Sequence, residues 1–201
     1  MKALFQKTKK GVISVALIVI LAIVAIVGIL AASVIGTYNG LATSREAVTS
    51  KAADIDTALQ RRADLIPNLV NTVKGFTQHE DEVIEKITTA REHLVNAQSL
   101  EEKSAANAEL TSGLNALMVI VENYPDLKSS ENFIALQDEL SGTENRIATA
   151  RHDYNEVVKA YNTKIQTFPS NIIAGMFNFE KAEYFEADDS AKEVPVVDFS
   201  K

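Results

Sequence analysis

The chain has 201 residues, 46% hydrophobic and 6% aromatic, with 20 basic against 27 acidic side chains and a net charge of −7; that is one ordinary domain's worth of chain. It contains no cysteine, which excludes disulfides, thiolate zinc sites, iron–sulfur clusters and cysteine nucleophiles. The acidic balance argues against a nucleic-acid partner, which calls for a basic face.

Residues 1–10 are basic, with Lys2, Lys7, Lys9 and Lys10, and no charge occurs from Gly11 to Ser44. Within that stretch Val12 to Ile35 is made almost wholly of Val, Ile, Leu and Ala, giving roughly 36 Å of helix at 1.5 Å per residue, enough to cross a hydrocarbon core of about 30 Å. The reading is a transmembrane helix over 11–36, with the lipid bilayer as its partner through residues 12–35. A cleaved secretory signal is the alternative, with Ala31-Ala32-Ser33 posing as the cleavage site, but signals have a shorter apolar core. Lysines before the span and a first following charge only at Arg45 put the N-terminus in the cytoplasm by the positive-inside rule. The rest of the chain is then expected on the extracytoplasmic side of the plasma (inner) membrane.

Beyond the span, apolar residues recur at spacings of three and four: Leu41, Val48, Ala52, Ile55, Leu59, Ile66, Leu69, Val73 and Phe76, then Val83, Ile87, Ala90, Leu94 and Ala97. The spacing returns at Leu110, Leu114, Leu117 and Val121, and at Phe133, Leu136, Leu140, Ile147, Ala150, Tyr154, Val157, Tyr161 and Phe168. This period belongs to helices packed at shallow angles. The fold class is all-α: the transmembrane helix followed by an up-and-down four-helix bundle with long helices near 37–76, 78–98, 101–123 and 130–168, in a domain over 37–170. A coiled-coil homo-oligomer is the competing use of the same stripes.

Capping boxes are expected at Thr77 with Glu80 and at Ser99 with Glu102; Tyr124-Pro125 closes the third helix, Ser129 or Ser130 caps the fourth, and Phe168-Pro169 ends it. Pro67 predicts a kink near Ala63, whose carbonyl loses its helical donor. The other parse makes Asp64 an N-cap and puts the first turn there, not near 76; the unbroken heptad phase favours the kinked long helix.

Arg62 falls on the apolar stripe between Leu59 and Ile66, where a guanidinium needs a carboxylate or several carbonyls; Glu139, Glu144 and Asp153 are candidate partners. His79, His93 and His152 lack the Glu three residues earlier that di-iron bundles use, and Val83 stands where a zinc-protease motif beginning at His79-Glu80 needs its second His. There is no glycine-rich phosphate loop and no G-x-S-x-G elbow. No catalytic, metal or cofactor site is therefore expected, and no cofactor.

Tyr-Asn occurs at Tyr38-Asn39, Tyr154-Asn155 and Tyr161-Asn162, a pair suited to a bundle edge where the ring is buried and the polar ends stay bonded. Residues 171–201 form an aromatic and acidic tail, with Phe177, Phe179, Tyr184 and Phe185, and a net charge of −4 over 180–201. The aromatics are read as stapling the tail to the bundle, with the acidic end disordered; the alternative treats Val194 to Phe199 as a short extended recognition peptide for a partner.

Together these features resemble the LemA family of bacterial membrane proteins. The resemblance rests on Tyr38-Asn39, the run Arg61-Arg62-Ala63-Asp64-Leu65-Ile66-Pro67-Asn68-Leu69-Val70 with Val73 to Phe76 and His79-Glu80, and Tyr124 to Lys128. It continues through Glu144 to Ala148 with Ala150-Arg151, the paired Tyr-Asn dipeptides and Phe168 to Asn171. It implies one N-terminal span and a four-helix bundle, and no particular biochemical activity. Arg62, Asp64, Asn68, Tyr154, Asn155, Tyr161 and Asn162 are the candidate structural and interaction residues. The expected function is a membrane-anchored, non-enzymatic interaction or scaffolding module binding envelope or membrane proteins; the alternatives are a sensory module signalling across the membrane and an enzyme assembled on helix faces.

Overall fold

The computed structural model describes the backbone from Lys2 to Phe185 except Gln78, and side chains from Leu17 onward. Six helices follow one another: α1 (Lys2–Lys74), α2 (Asp81–Asn96), α3 (Leu100–Val121), α4 (Pro125–Lys128), α5 (Glu131–Gln166) and α6 (Ser170–Met176), with no strand among the described residues. The periodic stripes explain the long helices, which form the predicted bundle from α1, α2, α3 and α5.

The chain divides into two compact units. One contains α1 through Glu46 with Tyr161–Lys181; the other contains Ala47–Ala160 and the chain from Ala182 on. In the larger unit the interior is built from Ile55, Leu59, Ile66, Leu69 and Val73 of α1, Ile84, Ile87 and Leu94 of α2, Leu110, Leu117 and Val121 of α3, and Phe133, Ile147 and Val158 of α5. Full burial of such a side chain contributes about 1.5–3 kcal/mol. At Gly113 of α3 an added Cβ would lie 3.0 Å from the Ile87 side chain, so the glycine admits α2 at close range. In the smaller unit Leu41, Tyr161, Ile165, Ile173 and Ala174 are buried, whereas the large apolar residues from Leu17 to Leu30 are all exposed.

α1 passes through Pro67 without interruption, so the reversal at Asp64 does not occur. The carbonyl that Pro67 leaves without a helical donor is supplied from outside: Arg91 Nε on α2 donates to Ala63 O at 2.9 Å. A defect in one helix thereby becomes a tie to the next.

Three local expectations change. The Ser99–Glu102 capping box is present at α3, but Thr77 and Glu80 form none. Thr77 donates back to Val73 O at 3.2 Å, Glu80 accepts from Tyr124 Oη at 2.7 Å, and Glu80 is itself the cap position of α2, with no side-chain bond. Of the two candidate caps for the fourth bundle helix, Ser129 instead closes α4, donating to Pro125 O, while Ser130 directly precedes α5 and its carbonyl accepts from Ile134 N–H. The buried stripe also differs from the expected one at three positions. Ile84, not Val83, enters the core, and Val158 and Ile165 replace Val157 and Phe168. Phe168 is exposed because α5 stops at Gln166 and leaves it in a turn.

Candidate functional site

Adjacent arginines on α1 point to opposite environments. Arg61 is exposed and donates from Nε to Glu139 Oε1 at 2.9 Å, with its Nη2 also on that oxygen. Arg62, one step of about 100° around the helix, is only 4% exposed. Its Nη1 donates to Asn107 Oδ1 at 2.6 Å and lies 2.6 Å from Glu144 Oε2. One guanidinium thus joins α1, α3 and α5 within the larger unit. Of the three candidate partners, Glu144 pairs with Arg62, Glu139 with Arg61, and Asp153 with Lys51 at 3.2 Å. Among the described residues Arg62 Nε has no hydrogen-bond partner. Burial pushes the Arg62 pKa down from its ordinary value, and the Glu144 carboxylate works against that shift; an arginine remains a cation at neutral pH all the same. The cluster is an ion pair with an amide, suited to fixing helix register.

Asp64 and Asn68 do not join it. Both are exposed; Asp64 accepts from Gln60 Nε2 at 2.8 Å, and Asn68 lines an open groove with Leu65, Asn71, Asn132, Leu136 and Glu139.

The Tyr-Asn pairs on α5 act on the main chain that follows α6. In the larger unit Tyr154 Oη donates to Glu183 O at 2.8 Å. Asn155 makes a two-way contact with Phe185: its Oδ1 accepts from the Phe185 N–H at 2.9 Å and its Nδ2 donates to the Phe185 carbonyl at 3.0 Å. The Arg151 guanidinium lies 4.6 Å from the centroid of the buried Phe185 ring, a cation–π distance. In the smaller unit Tyr161 Oη donates to Glu180 O at 2.8 Å, and Asn162 is buried beside it in the chain. Tyr38 meets Phe177 and Phe179 edge-on, with centroids at 4.9 and 5.7 Å. Burial raises the pKa of both Tyr154 and Tyr161, which keeps the hydroxyls as donors. Within each unit, α5 thus bonds main-chain atoms of the segment that follows α6. The Val194–Phe199 peptide lies outside the described residues.

His79 and His152 are exposed, and His93 Nδ1 lies 2.8 Å from Glu109. Among the described residues no group of three His, Cys, Asp or Glu is placed to hold a metal ion. Sequence reasoning missed Asn107, Arg91 and Arg151. Extending the α3 stripe back three residues from Leu110 lands on Asn107, and that was its available signal.

A model of the LemA family matches residues 51–199. The chain belongs to the LemA family. Relatives include Protein LemA of Metamycoplasma hominis, 27% identical over 77% of this chain and 71% of that protein. Magnetosome protein MamQ 2 of Paramagnetospirillum magneticum is 27% identical over 83% of this chain and 70% of that protein. Magnetosome protein MamQ of Magnetospirillum gryphiswaldense is 25% identical over 80% and 68%. In this LemA-family chain the matched region covers Arg62 and all the α5 contacts, while the exposed apolar stretch before Tyr38 lies outside it. The chain is a membrane-associated helical protein.

Proposed function

We propose that this protein is a non-enzymatic interaction or scaffolding module of the bacterial cell envelope, anchored in the inner membrane with its bundle on the extracytoplasmic side. The observation that carries the reading is α1 itself. Its 18-residue apolar window has a mean hydropathy of 3.2 and is wholly unburied, while the same helix supplies the buried stripe from Ile55 to Val73. An exposed apolar surface of that extent in water would be an aggregation site, whereas in a bilayer the helix satisfies its own backbone bonds. The four lysines before the span support the sidedness.

The test is crosslinking from intact membranes followed by affinity capture, comparing the full chain with a form truncated after Phe185. A cut after Ser170 is unsuitable, because it removes Ile173, Ala174 and Phe185 from the interior. Partner capture that persists in the full chain and falls on truncation supports an interaction role carried by the acidic end; no crosslinked protein in either form counts against it. A periplasm-active reporter fused after Lys201 is expected to be active, and activity only of a cytoplasmic reporter overturns the sidedness.

The unbroken course of α1 also supports a second reading, signal transmission across the membrane. Exchanging residues 1–36 for an unrelated anchor distinguishes them: a scaffold keeps its captured partners, and a transmitter loses its output.

A further inference from the structure

The sequence from Thr167 to Phe179 contains no charged residue. It forms the turn after α5, then α6 and the start of the chain beyond it, all within the smaller unit that also holds the apolar half of α1. α6 is too short to stand alone, and it packs by one side only: Ile173 and Ala174 are buried. The other side is apolar and uncovered. Ile172 is 53% exposed and Met176 67%, on one face at a spacing of four; Phe168 in the preceding turn is 80% exposed and Phe177 just after the helix 48%. Isolated exposed apolar residues need no explanation, but four large ones in a ten-residue charge-free segment do.

The position of this segment says what covers it. Tyr38 follows the end of the apolar run at Ile35 by three residues, about 4.5 Å along a helix, which is where tyrosines collect at the boundary between hydrocarbon and headgroups. The Phe177 and Phe179 rings rest edge-on against Tyr38. Lys164, in the last turn of α5, donates to Gly40 O at 2.8 Å and to Ser44 Oγ at 3.0 Å, fixing the start of the turn one helical step above the same level. The uncovered face is therefore continuous with the end of the membrane span.

We propose that α6 and its flanking aromatics form an interfacial membrane-docking element, in which Phe168, Ile172, Met176 and Phe177 enter the headgroup–acyl boundary of the bilayer that α1 crosses. This rests on the membrane reading of α1. The partner is a lipid surface recognised through apolar insertion, with Lys164 and Lys181 the nearest cations in the chain on either side.

The absence of native cysteine makes single-site labelling clean. The full chain carrying Ile172→Cys, Met176→Cys, Ile20→Cys or the bundle-surface control Ala105→Cys is nitroxide-labelled and reconstituted in vesicles of phosphatidylethanolamine and phosphatidylglycerol. Depth is then read from oxygen against nickel-chelate accessibility. Labels at 172 and 176 are expected about 5–10 Å below the headgroups, with 20 near the bilayer centre and 105 fully aqueous. A deep label at 20 with aqueous labels at 172 and 176 overturns the docking element and leaves the span intact. Aqueous labels at 20 and 172 alike overturn the span reading itself. Spin–spin broadening at 172 that vanishes on dilution with unlabelled protein, without membrane depth, assigns the face to a second copy and also overturns the proposal. In a further pair of samples labelled through Phe168→Cys, adding Ile172→Asp with Met176→Asp is expected to move the label from the lipid boundary to water while leaving helix content unchanged; persistence of its depth overturns the role of these side chains.

Discussion

α1 is one helix with two unlike stretches. From Leu17 to Leu30 apolar side chains cover every side and all the large ones are exposed; from Leu41 to Val73 similar residues recur every three or four positions and are buried, with charges between them. Helix propensity does not separate the two, since Leu, Ile, Val and Ala serve both. Angular distribution does: a stripe is satisfied by neighbouring helices, whereas a surface apolar all round is satisfied only by an apolar solvent.

The sharpest way to break this comparison is to truncate one leucine in each stretch. Leu59→Ala is expected to lower stability by about 3 kcal/mol, the usual result for a buried leucine, while Leu21→Ala leaves thermal unfolding in detergent unchanged, as followed by circular dichroism. An equal loss at both sites would mean that the first stretch packs on protein. The two arginine pairs refine the contrast within the buried stretch. Glu144→Ala leaves the Arg62 cation buried with Asn107 alone and is expected to cost about 2–3 kcal/mol, somewhat below the range for a fully buried pair because the Glu144 side chain is half exposed. Glu139→Ala, which removes the exposed Arg61 pair, is expected to cost less than about 1 kcal/mol, both by urea unfolding.

Next in size is the tie at Pro67. Arg91→Ala is expected to cost about 1.5 kcal/mol, and at most half as much in a Pro67→Ala background, where the helix supplies its own N–H to Ala63; a double-mutant cycle measures the difference. Smaller than the Pro67 tie is the α3 cap, where Ser99→Ala is expected to cost about 1 kcal/mol. Backbone donors at Gln98 and Ser99 hold Glu102 below the ordinary carboxylate value of 4.5. Because the folded value is the depressed one, this contribution is present above the ordinary value and is lost as pH falls through the folded value. Unfolding midpoints recorded from pH 7 to pH 3 should fall less steeply in Glu102→Gln.

The span, the four bundle helices and their approximate ends were legible because period and length are written directly in residue order. The Ser99 cap was legible for the same reason, since hydroxyl and carboxylate stand three residues apart. Thr77 and Glu80 have that spacing too and were taken by other partners, Val73 and Tyr124, which only the fold brings near. Arg62 announced its need for a carboxylate by sitting on the stripe, but choosing Glu144 over Glu139 depends on the rotation of α5 against α1. Arg91 was invisible, because an exposed-looking arginine carries no sign that a proline 24 residues earlier has freed a carbonyl. The Tyr-Asn dipeptides stood out as a repeat; that Tyr154, Asn155 and Tyr161 bond main-chain atoms of Glu180, Glu183 and Phe185 could be seen only in the fold.

The Asn155 carboxamide presents Phe185 with the same donor and acceptor that a neighbouring peptide group would, and Tyr154 asks of Glu183 only its carbonyl. Such contacts are indifferent to side-chain identity, so substitutions at Glu183 and Tyr184 should drift freely among relatives while position 185 stays aromatic. Asn155→Asp, which exchanges the amide donor for a second acceptor facing a carbonyl, should be purged.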